Sequence, residues 1–119
     1  MILVDTSVWI DHFREGVPEL VAHLGRSEVV MHPFVIGELA CGNLSNREAT
    51  LELLQQLRSL SVAEHDEVMN FIRGRALHGR GMGYVDVHLL AAVAIAGYQL
   101  WTNDKRLRQM AAGLGLAAL

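Results

Sequence analysis

Four acids in this sequence stand where chemistry could use them: Asp5, Glu38, Asp86 and Asp104. Asp5 closes the short apolar run Ile2-Leu3-Val4, and Asp104 follows a second such run that ends at Thr102. Glu38 falls in a helical pattern opened by Pro33. Asp86 sits among Val85, Val87, Leu89, Leu90 and Val93, so its helix should be buried. A carboxylate there costs roughly several kcal/mol unless something pairs with it. Four acids in one crevice would repel each other and raise their pKa values, and a divalent cation would resolve that conflict. Oxygen-only ligands favour Mg²⁺, with Mn²⁺ as a substitute, over zinc. Such an ion keeps several waters, one of which can attack a phosphodiester whose growing charge the ion neutralises. Thr6, Ser7, Thr102 and Asn103 adjoin the acids and are expected to hydrogen-bond a ligating carboxylate or a bound water.

Each acid also has an ordinary use. Asp5 could open an Asx-type turn, Asp104 could cap a helix, Asp86 could favour a helix dipole, and Glu38 could be solvated. What favours a site is that the expected fold gathers all four at one rim. Strands are expected at residues 2–4, 29–31, 60–62 and 99–102, with a further edge strand at 114–119. Helices are expected at 15–26, from Pro33 to Gly42, at 46–59, 64–78, 85–96 and 104–112. In the first of these Leu20, Val21 and Leu24 should share a face. In the third, Asn46 should cap and Leu51, Leu54 and Leu57 point inward. Alternating strands and helices argue for an α/β fold: a central parallel sheet of four to five short strands, with helices on both faces. Such sheets bind ligands at the carboxyl ends of their strands.

Composition bounds the rest. The 119 residues suit one domain spanning 1–119. Hydrophobic residues make up 51% and charged residues 19%, an excess of apolar surface that favours an oligomer or an obligate partner. The net charge of −3 does not advertise nucleic-acid binding, but acids at a metal site lower the total without repelling substrate once the ion is bound. Positive charge gathers at Arg73, Arg75 and Arg80, and at Lys105, Arg106 and Arg108. Cys41 is the only cysteine, which excludes an internal disulfide. No leader is expected at the N-terminus, and the apolar stretch 87–96 is shorter than the ~20 residues of a membrane span. A cytoplasmic location is the expectation.

At the four acids the sequence resembles the PIN-domain family, and within it the VapC-type toxins. Ile2-Leu3-Val4-Asp5-Thr6-Ser7-Val8-Trp9-Ile10 is similar to the family's first strand and acid. Val35-Ile36-Gly37-Glu38-Leu39 looks like its second motif, Asp86-Val87-His88-Leu89-Leu90-Ala91-Ala92 its third, and Leu100-Trp101-Thr102-Asn103-Asp104 its fourth. The motifs span nearly the whole chain in the family's order. The resemblance implies a single PIN-like domain acting as an endoribonuclease that depends on Mg²⁺ or Mn²⁺. Asp5, Glu38, Asp86 and Asp104 would surround the metal, and structured RNA such as tRNA or ribosomal RNA would be cut. It also implies a homodimer inhibited by a small VapB-like antitoxin that covers the crevice and binds operator DNA. One departure stands out. Some relatives carry a further acid in the helix after the third motif, where this chain has His88 and Leu90, so the number of metals stays open.

The other reactive residues are read more plainly. His12, His23, His32, His65 and His78 show no paired ligand spacing, and His88 points away from Asp86 on a helix. Trp9 and Phe13 are expected in the core or in a groove for the antitoxin. Arg73, Arg75, Arg80, Lys105, Arg106 and Arg108 are the candidates for RNA contact. A haloacid-dehalogenase-type phosphatase needs a second Asp where Ser7 stands. A receiver domain needs adjacent acids at the first strand and a phospho-accepting Asp in mid-chain. Two alternatives stay open: a catalytically silent dimerisation or antitoxin-binding module, and a DNA nuclease.

Overall fold

The computed structural model describes residues 1–118. Three parallel strands form the sheet: β1 (Ile2–Val4), β2 (Val29–Val30) and β3 (Gln99–Trp101), in the order β2-β1-β3. Ile2 pairs with Val29 on one side and Gln99 on the other. All three residues of β1 are buried, as expected of a central parallel strand covered on both faces. Seven helices surround the sheet: α1 (Thr6–Glu15), α2 (Pro18–Gly25), α3 (Pro33–Cys41), α4 (Arg47–Gln55), α5 (His65–Arg75), α6 (Tyr84–Ala96) and α7 (Lys105–Gly113).

The expected four to five strands are therefore corrected to three. The other two segments each pair at a single parallel bridge, Met31 with Ser59 and Leu100 with Ala117. Two hydrogen bonds flank Met31, from its N–H to Arg58 O (2.8 Å) and from Leu60 N–H to its carbonyl (2.7 Å). The pairing cannot lengthen because His32 already caps α3 and Pro33 offers no N–H. At the opposite edge, Leu100 bonds Leu116 O and Ala118 N–H, and the last expected position, Leu119, lies outside the described residues.

With these bridges included, the chain steps outward from β1 through β2 to residues 58–60, then returns to the far side of β1 for β3. The right-handed rule for parallel crossovers assigns α1–α4 to one face and α5–α7 to the other. Contacts of α1 with α3 and α3 with α4, and of α5 with α6, agree. The reversal makes the gap between the carboxyl ends of β1 and β3 the switch point where ligands bind such sheets.

Two helical expectations also change. Residues 15–26 do not form one helix: Gly16 (φ 80°) and Val17 separate α1 from α2, and Pro18 starts the second. Leu20 is buried as expected, whereas Val21 is 56% exposed because the new start rotates the face. Asn46 precedes α4 but lies in the left-handed region (φ 48°) and makes no side-chain cap. Only Leu54 of that helix is fully buried, with Leu51 and Leu57 half-buried. The apolar α6 is the core's main helix, buried continuously from Val87 to Val93 and ended by Gly97 at φ 75°. None of the described helices is long and apolar enough to cross a membrane.

Candidate active site

Asp5 leaves β1 with its backbone N–H still bonded to Trp101 O at 2.9 Å. It occupies the N-cap position of α1, yet its side chain does not cap that helix. Its carboxylate is 7% exposed and turns toward β3 instead. There Oδ2 accepts hydrogen bonds from Thr102 Oγ1 (2.7 Å) and Ser7 Oγ (2.9 Å). Each hydroxyl also accepts a backbone N–H, from Asp104 to Thr102 (3.0 Å) and from Asn103 to Ser7 (3.0 Å). These acceptances fix the hydroxyl protons toward Asp5. The second Asp5 oxygen remains free of these bonds.

Asp104 caps α7: its Oδ1 accepts Leu107 N–H at 3.0 Å. The ordinary reading of this residue is thus correct for one oxygen and leaves the other available. Glu38, exposed on α3, accepts Thr6 Oγ1 at 2.9 Å, so Thr6 steers it toward the start of α1. Asn103 does not reach an acid of the cluster; its Nδ2 donates to Asp11 (2.8 Å), which also pairs with Arg14 (2.7 Å). Asp11 escaped the sequence reading because α1 was not recognised as a helix of its own.

Asp86 lies in the first turn of α6. Burial first, and then the Asp5 carboxylate, hold it above the usual carboxylate range. Asp104 and Glu38 push the same way, against a hydrogen bond from the Gly83 backbone. Asp5, Asp104 and Glu38 are therefore each within electrostatic reach of Asp86. Among the described residues, no three His, Cys, Asp or Glu side chains stand ready-made around one ion. The donor chemistry nevertheless fits Mg²⁺ or Mn²⁺. The donors are all oxygens, the acids repel one another at Asp86, and a water-rich ion needs only one or two direct carboxylates.

Five aromatic and imidazole rings gather where α3 meets α6. His88 meets Phe34 edge-on at 4.9 Å and Tyr84 at 4.5 Å. His32, fully buried, meets Phe34 at 5.1 Å and caps α3 through Nδ1, which accepts Phe34 N–H at 3.0 Å. His65 Nδ1 lies 2.7 Å from the Tyr84 hydroxyl. His32, expected to be an ordinary surface or partly buried residue, is fully buried, and so is nearly all of His88. Burial, followed by His88, pushes His32 down to about 4, and burial followed by His65 lowers His88. No short-range sequence pattern could have joined residues 32 and 88.

Residues 2–113 match the family model described as PIN domain. The chain is 49% identical over 118 residues to Ribonuclease VapC32 of Mycobacterium tuberculosis, in both the CDC 1551 / Oshkosh and the ATCC 25618 / H37Rv strains. That match covers 98% of this chain and 95% of the relative. The chain belongs to the PIN-domain family, on its VapC branch. The fold is similar to that in the crystal structure of FitAcB from Neisseria gonorrhoeae, with a TM-score of 0.65 at 21% identity over 94% of both chains. It is also similar to PAE2754 from Pyrobaculum aerophilum, with a TM-score of 0.63 at 18% identity over 94% of this chain and 80% of that one. In this PIN domain Asp5 and Asp104 follow the carboxyl ends of β1 and β3, on either side of the switch point, and Glu38 and Asp86 come from α3 and α6.

Proposed function

We propose that this PIN domain is a metal-dependent endoribonuclease that hydrolyses phosphodiester bonds in structured cellular RNA, tRNA or ribosomal RNA, under the control of a cognate antitoxin. The observation that carries this reading is the electrostatic convergence of Asp5, Glu38 and Asp104 on Asp86 at the switch point. The name of its 49%-identical relative, a ribonuclease, supports the same activity. When bound, Mg²⁺ or Mn²⁺ would supply an acidified water and positive charge against the scissile phosphate. Asp5 and Asp86 would hold the ion from the buried side, and Asp104 and Glu38 from the open side. Thr102 and Ser7 keep Asp5 in one orientation by donating to a single oxygen, which leaves the other for the ion. The Thr6 hydroxyl does the same for Glu38.

The antitoxin reading rests on a groove that reaches the acids. A cleft of 530 Å³ runs past Ile10, Phe13, Leu39 and Leu44 to Glu38. Ile10 and Phe13 are 48% and 42% exposed there, which suits an apolar segment from a second protein. Trp9 is core, 2% exposed and stacked on Phe13 at 5.8 Å. A homodimer would cover Val62, Met69 and Ile95, which are exposed before α5, on α5 and at the end of α6.

The test is digestion of total RNA by partner-free protein in Mg²⁺, in Mn²⁺ and in EDTA, beside Asp5→Asn. Discrete fragments that need metal and vanish in the variant are the expected result. Intact RNA in every metal would favour a silent binding module, and cutting confined to a DNA control would favour a DNA nuclease.

A further inference from the structure

An acidic rim repels the strand it must cut, so a nuclease needs cations to hold the RNA backbone. The structure sorts the six basic candidates. Arg73 donates to Asn70 at 3.0 Å, and the Arg75 guanidinium lies 5.6 Å from the centre of the Phe71 ring. Arg108 turns to the Thr102 carbonyl at 3.4 Å, and Lys105 is exposed at the start of α7. Arg80 and Arg106 differ from all of these. They share an open cleft of 180 Å³ with Gln109 and Met110, and, like the other four, neither is in an ion pair among the described residues.

Arg106 is also held in place. Its Nη1 donates to the Gly81 carbonyl at 3.4 Å, and the guanidinium packs close against Gly81. A Cβ at residue 81 would fall inside contact distance of Nη1 and 3.0 Å from Cζ. Gly81 also has φ +78°, which glycine adopts without strain. Arg106 follows Asp104 by two residues and Gly81 precedes Asp86 by five. The latch therefore joins the two segments that enter α6 and α7 with their acids.

We propose that Arg80, Arg106 and Gln109 form a binding site for an RNA backbone phosphate flanking the scissile one, an inference that rests on the RNA-cleaving reading above. Two guanidinium forks and an amide offer planar, paired donors suited to phosphate oxygens. Neither arginine must first break an ion pair to bind. Arg106 already leans on the Gly81 carbonyl, which reduces the side-chain freedom left to lose on binding. The open cleft lets a strand pass through rather than end there.

The experiment is a salt series of fluorescence-anisotropy titrations with a short labelled single-stranded RNA in Mg²⁺, using the Asp5→Asn chain as the uncut parent. Arg80→Ala and Arg106→Ala should each weaken binding by about tenfold, the size of one lost charged hydrogen bond. Each should also lower the slope of log affinity against log salt by about 0.7. Gly81→Ala removes no charge, yet should weaken binding by displacing Arg106. Arg106→Lys keeps charge and fold, so it should keep the slope while losing affinity. Arg73→Ala should change neither. Unchanged affinity and slope in Arg80→Ala and Arg106→Ala, with thermal unfolding as in the parent, would overturn the site while leaving the nuclease intact. A parent that binds no RNA would overturn both, and wild-type protein would then also leave total RNA whole.

Discussion

Replacing His32 with asparagine should flatten the acid side of this protein's stability profile. His32 is fully buried, its Nδ1 accepts Phe34 N–H, and its Nε2 has no hydrogen-bond partner. Folding therefore favours the neutral ring, and burial followed by His88 brings its pKa to about 4, against 6.5 when unfolded. Between those values the unfolded chain binds a proton that the folded chain refuses, so stability falls as pH falls. The full difference is worth about 3 kcal/mol, and about 2 kcal/mol of it is lost by pH 5. Above pH 6.5 the residue has no effect on the slope, and below about 4 its effect has reached its limit. Asparagine can still accept from Phe34 N–H but does not titrate. Its smaller volume costs about 1–3 kcal/mol at every pH, which shifts the profile without tilting it. Urea unfolding of partner-free wild type and His32→Asn at pH 7.5, 6, 5 and 4.5 would read the effect. The wild-type advantage should fall steadily below pH 6.5, by about 2 kcal/mol at pH 5. Parallel profiles over that range would refute the reasoning.

Two further outcomes follow from the site. Asp86→Asn should stabilise the metal-free protein at neutral pH, because burial and three neighbouring acids disfavour the charge it removes. Since the folded pKa is raised, the gain should fade as pH falls through it, and Mn²⁺ should raise the melting temperature of wild type more than of the variant. Thr102→Val should cost about 2 kcal/mol in urea unfolding, by removing a donor to the buried Asp5 and leaving Asp104 N–H without its acceptor. It should also slow RNA cleavage by about tenfold or more, as loss of a ligand-orienting bond does.

The positions of the four acids were more legible in the sequence than the framework around them. An acid at the end of a three-residue apolar run is a short-range signal, and Asp5 and Asp104 are both where that signal puts them. Asp86 stood out because a charge in a continuous apolar helix needs a reason, and α6 is the most continuously buried helix of the fold. The edge strands did not materialise because apolar runs at residues 60–62 and 114–118 do not reveal how much partner backbone is left to pair with. Met31 was the last residue β2 could offer before His32 and Pro33 turned the chain into α3. The break at Gly16 was visible as a glycine two residues before a proline, but the apolar face of Leu20, Val21 and Leu24 was extended back across it to residue 15. His32 and His88 meet through Phe34 only because α3 and α6 pack together at the rim, which is tertiary information. The pairing of Arg106 with Gly81 is of the same kind.

The most direct measurement is single-turnover cleavage of the RNA identified by digestion, across a range of Mg²⁺ concentrations, by wild type and by Asp5→Asn, Glu38→Gln, Asp86→Asn and Asp104→Asn. Cleavage that rises with Mg²⁺, stops in EDTA and falls by about a hundredfold or more in each variant is the predicted result. Cleavage by wild type that persists in EDTA, or an Asp5→Asn protein that cuts as fast as wild type, would contradict a metal held by these four acids.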